Sequence, residues 1–181
     1  MSKLPKDFVL GAATAAYQVE GSSTVDGKGR VLWDGFLEKQ GRFSPDPASD
    51  FYNRYEEDIK LASEYGIKAI RISIAWSRII PDGTGEVNEK GLTYYRKVFE
   101  TCHKYGIEPF VTLHHFDTPE TLFEKGDWLN KDQIDAFERY AELVFDEYHD
   151  VVKYWITINE PIAYVQGQYI TGAFPPGEQY N

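Results

Sequence analysis

Two hydrophobic periods take turns along the chain. Tyr52, Tyr55, Ile59 and Ala62 recur at spacings of three and four, which marks one face of a helix. Gly66 then supplies a helix stop, and Ala69-Ile70-Arg71-Ile72-Ser73-Ile74 follows as an alternating, β-rich run. The same events repeat further on. Leu92, Tyr95, Phe99 and Cys102 form a helical stripe, Gly106 closes it, and Pro109-Phe110-Val111-Thr112-Leu113 reads as a strand. The two junctions share letters, Tyr65-Gly66-Ile67-Lys68 against Tyr105-Gly106-Ile107-Glu108. A third stripe, Ile134, Phe137, Ala141, Val144 and Tyr148, leads into a strand at Lys153-Tyr154-Trp155-Ile156-Thr157-Ile158. With the short apolar start Phe8-Val9-Leu10 as a first strand, four strands alternate with three helices.

Strands joined by crossover helices run parallel, with right-handed connections. That leaves an open doubly wound sheet or a (β/α)8 TIM barrel. Polar and aromatic residues follow each strand: Gln18 and Glu20, then Trp76 and Arg78, then His114, His115 and Asp117, then Asn159 and Glu160. Such residues at the carboxyl ends of successive strands are where a barrel keeps its active site. No strand is followed by a phosphate-binding glycine fingerprint, which weakens the dinucleotide-fold alternative. The reading is α/β, a TIM barrel. Such a barrel takes eight strands and about 250 residues, so the 181 residues read as the amino-terminal half of one catalytic domain. The fourth helix is expected to be missing, with the chain stopping in the loop Phe174-Pro175-Pro176-Gly177. Both outer strands would be open edges, so a missing second half-barrel or self-association is the expected macromolecular partner.

Composition narrows the partners. Hydrophobic residues make up 42%, enough for a sizeable core, and the net charge is −10. So acidic a surface repels phosphate backbones, so no nucleic acid is expected. The lone Cys102 allows neither an internal disulfide nor a thiolate zinc site, which suits a reducing compartment. The first residues lack the apolar stretch of a secretory signal, and no run of about 18 apolar residues could span a bilayer. The expected location is cytoplasmic, with no membrane partner.

Among candidate chemical groups, Glu160 follows a strand directly, between Asn159 and Pro161. Proline biases the residue before it towards extended backbone. A carboxyl there, partly desolvated by aromatics such as Trp155, would have a raised pKa and could donate a proton. A surface-loop or helix-start glutamate is the plainer alternative. Arg71 shares a strand face with Ser73, opposite Ile70, Ile72 and Ile74. It points into the barrel if the isoleucines meet the helices, and a buried guanidinium there needs a carboxylate. A purely structural pair is the competing reading. His114 and His115 are adjacent on a strand and point to opposite faces, so they do not share a metal ion. One faces the pocket and the other is structural. No metal and no cofactor is expected. Gly27-Lys28-Gly29 is too short to cradle phosphates, Glu56-Glu57-Asp58 is a solvated helix face, and the helical Tyr and Trp stripes are core.

Four ordered motifs together resemble family 1 glycoside hydrolases. The run Phe8 to Gly21 is similar to their amino-terminal signature, and Arg71 to Ile79 (RISIAWSRI) to their second-strand motif. Thr112-Leu113-His114-His115-Phe116-Asp117-Thr118-Pro119 resembles the third, with Phe116 where most members carry tryptophan. Thr157-Ile158-Asn159-Glu160-Pro161 resembles the acid/base motif. The resemblance implies that Glu160 is the general acid/base, that Gln18, His115 and Asn159 hydrogen-bond the sugar, and that Arg71 orients the nucleophile. The family is retaining, and its nucleophile is a glutamate in a Thr-Glu-Asn-Gly motif, which is absent here. By that reading the 181 residues alone do not turn over substrate. Within the family, the segments from Leu113 to Glu120, Gly126 to Asn130, and Gly167 to Tyr169 with Phe174 to Gly177 resemble 6-phospho-β-galactosidases. They imply a phosphorylated disaccharide substrate such as phosphorylated lactose. A 6-phospho-β-glucosidase or plain β-glucosidase is the neighbouring alternative, and a non-catalytic half-barrel that binds sugar the alternative of another class.

Overall fold

A computed structural model provides the structure of the chain and describes residues 4–42 and 44–178. Strand β1 (Gly11–Ala13) leads through short α1 (Ala16–Val19) and α2 (Leu32–Lys39) to α3 (Phe51–Glu64). Then come β2 (Ala69–Ser73), short α4 (Trp76–Ile79) and α5 (Glu89–Lys104). Next are β3 (Glu108–His114), short α6 (Glu120–Glu124) and α7 (Asp132–Tyr148). Strand β4 (Tyr154–Ile158) is followed by α8 (Pro161–Val165), which runs on as a π-helical turn, Gln166–Ile170. The sheet is parallel in the order β1-β2-β3-β4. Among the described residues, β1 pairs only with β2 and β4 only with β3, so both outer strands are edges.

The repeated Tyr-Gly-Ile junctions have a common physical basis. Gly66 and Gly106 adopt φ of 81° and 69° just past α3 and α5, a left-handed region that glycine enters without penalty. The amides of Ile67 and Ile107 then donate to the carbonyls of Ala62 and Cys102, at 3.1 and 2.9 Å. Gly66 and Gly106 donate to Ser63 and His103. This is the Schellman closure, and it turns each helix straight into the next strand. Lys68 and Glu108, the following residues, enter the sheet side by side, Glu108 donating to the Lys68 carbonyl.

Ile70, Ile72, Ile74, Val111 and Leu113 form the helix-facing side of the sheet, packed on Leu92, Tyr95, Phe99, Tyr140 and Val144. Two of the buried tyrosines tie their hydroxyls to backbone: Tyr140 Oη donates to the Leu113 carbonyl at 2.9 Å and Tyr148 Oη to that of Leu92 at 2.8 Å. The opposite face carries Ala13, Arg71, Phe110 and Tyr154 in one register row, with the Phe110 and Tyr154 rings stacked at 4.4 Å. Of the acidic run on α3, Glu56 and Glu57 are exposed, while Asp58 is half-buried and desolvation pushes its carboxyl up.

Three expectations are corrected. The first strand is not Phe8-Val9-Leu10, all three of which are exposed. Its register begins at Gly11 opposite Ala69, and only the Leu10 carbonyl joins in, accepting from Lys68. In α7, Ile134 is 60% exposed, while Gln133 and Ala136 are buried. The helix is turned so that the Gln133 amide reaches the Asp127 carboxylate at 3.2 Å. Finally, a short helix does follow β4 before that loop, with Pro161 at its first turn, where its missing N–H is not needed, while no long helix like α3, α5 or α7 follows it among the described residues. Among the described residues no helix is long and apolar enough to cross a membrane.

Candidate active site

The loops beyond the carboxyl ends of the four strands meet on one side. From β2, Arg71 is half-buried on the face away from the isoleucines, as its alternation requires. Its Nη1 donates to Asn159 Oδ1 at 3.0 Å, joining β2 to the end of β4 across 88 residues of sequence. Arg71 Nε is buried without a hydrogen-bond partner, and among the described residues no carboxylate pairs with this guanidinium. The structural ion pair belongs instead to Arg78, whose Nη2 meets Glu20 Oε2 at 3.0 Å, both side chains buried. Tyr95 Oη donates to the other Glu20 oxygen at 2.6 Å. Glu20 and Arg78 follow β1 and β2, so this pair locks the two loops together.

Asn159 is buried, and its amide donates to the His114 carbonyl at 2.9 Å. The two histidines have different surroundings, although the Nδ1 of each is buried without a hydrogen-bond partner. His115 lines a cavity of about 340 Å³ with Tyr17, Gln18, Trp33, Leu37 and Phe116, and its Nδ1 is buried and unpartnered. His114 is fully buried, its Nε2 3.0 Å from Thr118 Oγ1, with its ring edge-on to Trp128 and Tyr164. Burial pushes the pKa of His114 down to about 3 and that of His115 to about 4, with Arg71 adding to the shift at His115. Both rings are therefore neutral near pH 7. Trp33 Nε1 donates to the Phe116 carbonyl at 2.6 Å and pins the loop after β3 to α2. Gln18 is exposed at the cavity's rim.

Glu160 departs from two expectations. Its backbone is left-handed, φ 42° and ψ 60°, rather than extended, because it caps α8 and Tyr164 N donates to its carbonyl at 3.0 Å. Trp155 does not cover it either: that ring belongs to the helix-facing side of β4, beside Phe145 at 5.7 Å. The Glu160 side chain is exposed and unpartnered among the described residues. Among the described residues, three of the seven non-glycine residues at positive φ, Phe116, Asp127 and Glu160, lie in the loops and helix starts after β3 and β4.

Two aspartates that the sequence marks with no role of their own are buried beside the site. Asp117 is buried, with Oδ1 3.3 Å from the His115 amide, and burial pushes its carboxyl up to about 7. Asp127, buried under α8, accepts hydrogen bonds from Tyr164, Gln168, Thr118 and Gln133. Both aspartates stand in motifs conspicuous in the sequence, but nothing local signals that they are buried. Among the described residues, no group of three His, Cys, Asp or Glu gathers as a metal ion requires.

The glycosyl hydrolase family 1 model matches residues 1–181. The chain belongs to that family. It is 63% identical over 179 residues to a 6-phospho-beta-galactosidase of Lacticaseibacillus casei, which covers 98% of this chain and 38% of that protein. A 6-phospho-beta-galactosidase of Staphylococcus aureus (strain JH9) is 57% identical over 178 residues, 98% of this chain and 38% of that one. The chain thus spans well under half the length of these family 1 relatives. Among solved structures, a beta-glucosidase from Thermotoga maritima in complex with castanospermine superposes with a TM-score of 0.92 at 42% identity, covering 99% of this chain and 42% of that one. The virulence factor SghA of Agrobacterium tumefaciens gives 0.94 at 42%, covering 97% and 40%. These family 1 neighbours are (β/α)8 barrels, and the four parallel strands here match part of one.

Proposed function

We propose that residues 1–181 are the amino-terminal half of one barrel domain, in a retaining β-glycosidase acting on 6-phospho-β-galactosides. Glu160 is the general acid/base. Gln18, His115 and Asn159 hydrogen-bond the sugar, Asn159 from a position already fixed by Arg71. The observation that carries the reading is the Arg71 guanidinium, which holds Asn159 on one nitrogen and leaves a buried Nε unpartnered. A group so placed is suited to a carboxylate arriving from outside these residues, and that carboxylate is the nucleophile. In a retaining pair the two carboxyl groups lie about 5–5.5 Å apart. Glu160 protonates the departing glycosidic oxygen while the nucleophile forms the glycosyl-enzyme, then takes a proton from the water that releases the sugar. A mutant of the rice beta-glucosidase Os3BGlu6, solved in a covalent complex with Glc, supports a covalent route in this family.

The phosphorylated galactoside rests on the 63% and 57% identical relatives. The beta-glucosidases at 42% favour the second reading, an unphosphorylated glucoside. Joining residues 1–181 to the remaining portion of the Lacticaseibacillus casei relative provides a complete barrel for the test. Proton NMR of early product from an aryl 6-phospho-β-galactoside should show the β-anomer before mutarotation. Early α-anomer, or no turnover of the phosphorylated substrate, overturns the proposal.

A further inference from the structure

Asp127 is 1% exposed, and no step of the proposed chemistry uses it. Its backbone is left-handed, φ 48°, in a tight 3-10 turn at Asp127–Leu129. Four donors from three segments converge on its carboxylate. Oδ1 accepts from Thr118 Oγ1 at 3.1 Å and Gln133 Nε2 at 3.2 Å. Oδ2 accepts from Tyr164 Oη at 2.6 Å and Gln168 Nε2 at 2.8 Å. Four donors about fill the lone-pair sites of a carboxylate. Burial still pushes its pKa up, against the pull of these bonds.

Two of the donors lie in the segment that starts at Glu160. Tyr164 is one turn into α8, and its own amide donates to the Glu160 carbonyl. Gln168 lies one turn further, in the π-helical stretch. Most of the outer surface of this segment is bare: Pro161, Ile162, Val165, Gln166 and Ile170 are exposed. The Glu160 side chain has no hydrogen-bond partner among the described residues, so its direction is set by its backbone. That backbone occupies a left-handed conformation, which persists only where surrounding contacts over-determine it.

We propose that Asp127 is a positioning residue for Glu160: by holding the Tyr164 hydroxyl and the Gln168 amide, it fixes the start of α8 and so the aim of the Glu160 carboxyl. The inference rests on Glu160 being the acid/base. Thr118 extends the same hub to the other wall of the site. Its hydroxyl donates to Asp127 and so accepts from His114 Nε2, and it stands three residues after His115. One buried carboxylate thereby sets the acid's helix and the sugar-binding loop relative to each other.

The experiment uses residues 1–181 joined to the remaining portion of the Lacticaseibacillus casei relative. Asp127→Asn keeps the shape and removes the charge; Tyr164→Phe removes only the tethering hydroxyl. A misaimed acid slows the departure of a poor leaving group, while an activated one such as dinitrophenolate needs little protonation. Each variant should therefore lower kcat for an alkyl 6-phospho-β-galactoside by about tenfold or more, and change glycosylation by the dinitrophenyl substrate by less than about twofold. Hydrogen exchange should also speed up in Ile162–Ile170 while β3 amides keep their protection. Equal losses on both leaving groups, or unchanged exchange in Ile162–Ile170, overturns the proposal. Glu160→Gln serves as the control. If it shows no leaving-group dependence, the acid reading itself has failed, and exchange still reports whether Asp127 holds the helix.

Discussion

Replacing Arg78 by methionine isolates the contribution of the buried pair that locks the β1 and β2 loops. The guanidinium is 0% exposed and Glu20 4%. Its Nε and Nη2 reach one Glu20 oxygen at 3.2 and 3.0 Å, and its carbon lies 4.3 Å from the centre of the Tyr52 ring and 5.5 Å from that of Tyr94. Solvent does not screen a pair so deep. Methionine fills most of the volume but leaves Glu20 with only the Tyr95 hydroxyl. Breaking a buried pair from one side costs about 3–5 kcal/mol, because the remaining charge is uncompensated. For a chain of this size that corresponds to a fall of roughly 6–20 °C in Tm. Replacing both partners, Glu20→Gln with Arg78→Met, should recover much of the loss, since removing both charges from a buried site is often near neutral. Urea unfolding of the four proteins forms a double-mutant cycle, with coincident fluorescence and circular dichroism transitions checking two-state behaviour. A loss below about 1 kcal/mol for Arg78→Met, the range of exposed pairs, would refute the reasoning.

Three further outcomes follow from the same geometry. Arg71→Met should cost only about 1 kcal/mol in this chain, because it removes one hydrogen bond to Asn159 and strands no buried carboxylate; a loss matching that of Arg78→Met in urea unfolding would contradict this. Asp117, pushed up to about 7 by burial, holds a proton in the folded state that the unfolded chain releases near pH 4. Its stabilising contribution is therefore complete below pH 4 and is lost as pH rises through 7, so Asp117→Asn should gain on the parent by up to a few kcal/mol at pH 8 and not at pH 4. A difference in urea stability that does not vary with pH would argue against it. For His114 and His115, held down to about 3 and 4 mainly by burial, stability is present above pH 6.5 and lost as pH falls towards 4. Their C2 protons should not titrate by NMR between about pH 5.5 and 8, and a midpoint above 6 at either ring would contradict the assignment.

What could be read in the sequence was what short-range chemistry specifies. The Tyr-Gly-Ile junctions announce Schellman closures because the left-handed residue and the strand entry lie within three positions of each other. The alternation of Ile70, Arg71, Ile72 and Ser73 separates the two faces of β2 and sets Arg71 on the site's side. Long-range partners were not legible. Arg78 resembles Arg71 in sequence, yet it is the one with a carboxylate, supplied by Glu20 from 58 residues away. Phe8-Val9-Leu10 is the most apolar stretch near the start but lies outside the register that Gly11 begins. Gln133 displaces Ile134 from the core because Asp127 offers it a buried acceptor. The preference of a residue before proline misled at Glu160, where contacts made by α8 outweigh it. For the Arg78 pair and for α7 the deciding atom sits on another element, beyond the reach of local propensity or period.

Whether Glu160 is the acid/base is read from the leaving-group dependence of Glu160→Gln. With residues 1–181 joined to the rest of a family 1 barrel, kcat/KM would be measured for aryl 6-phospho-β-galactosides of graded phenol acidity. The variant should lose about 10²–10⁴-fold on the least acidic phenols and keep near-parental glycosylation by the most acidic. A loss of the same size across the series would contradict the acid/base role.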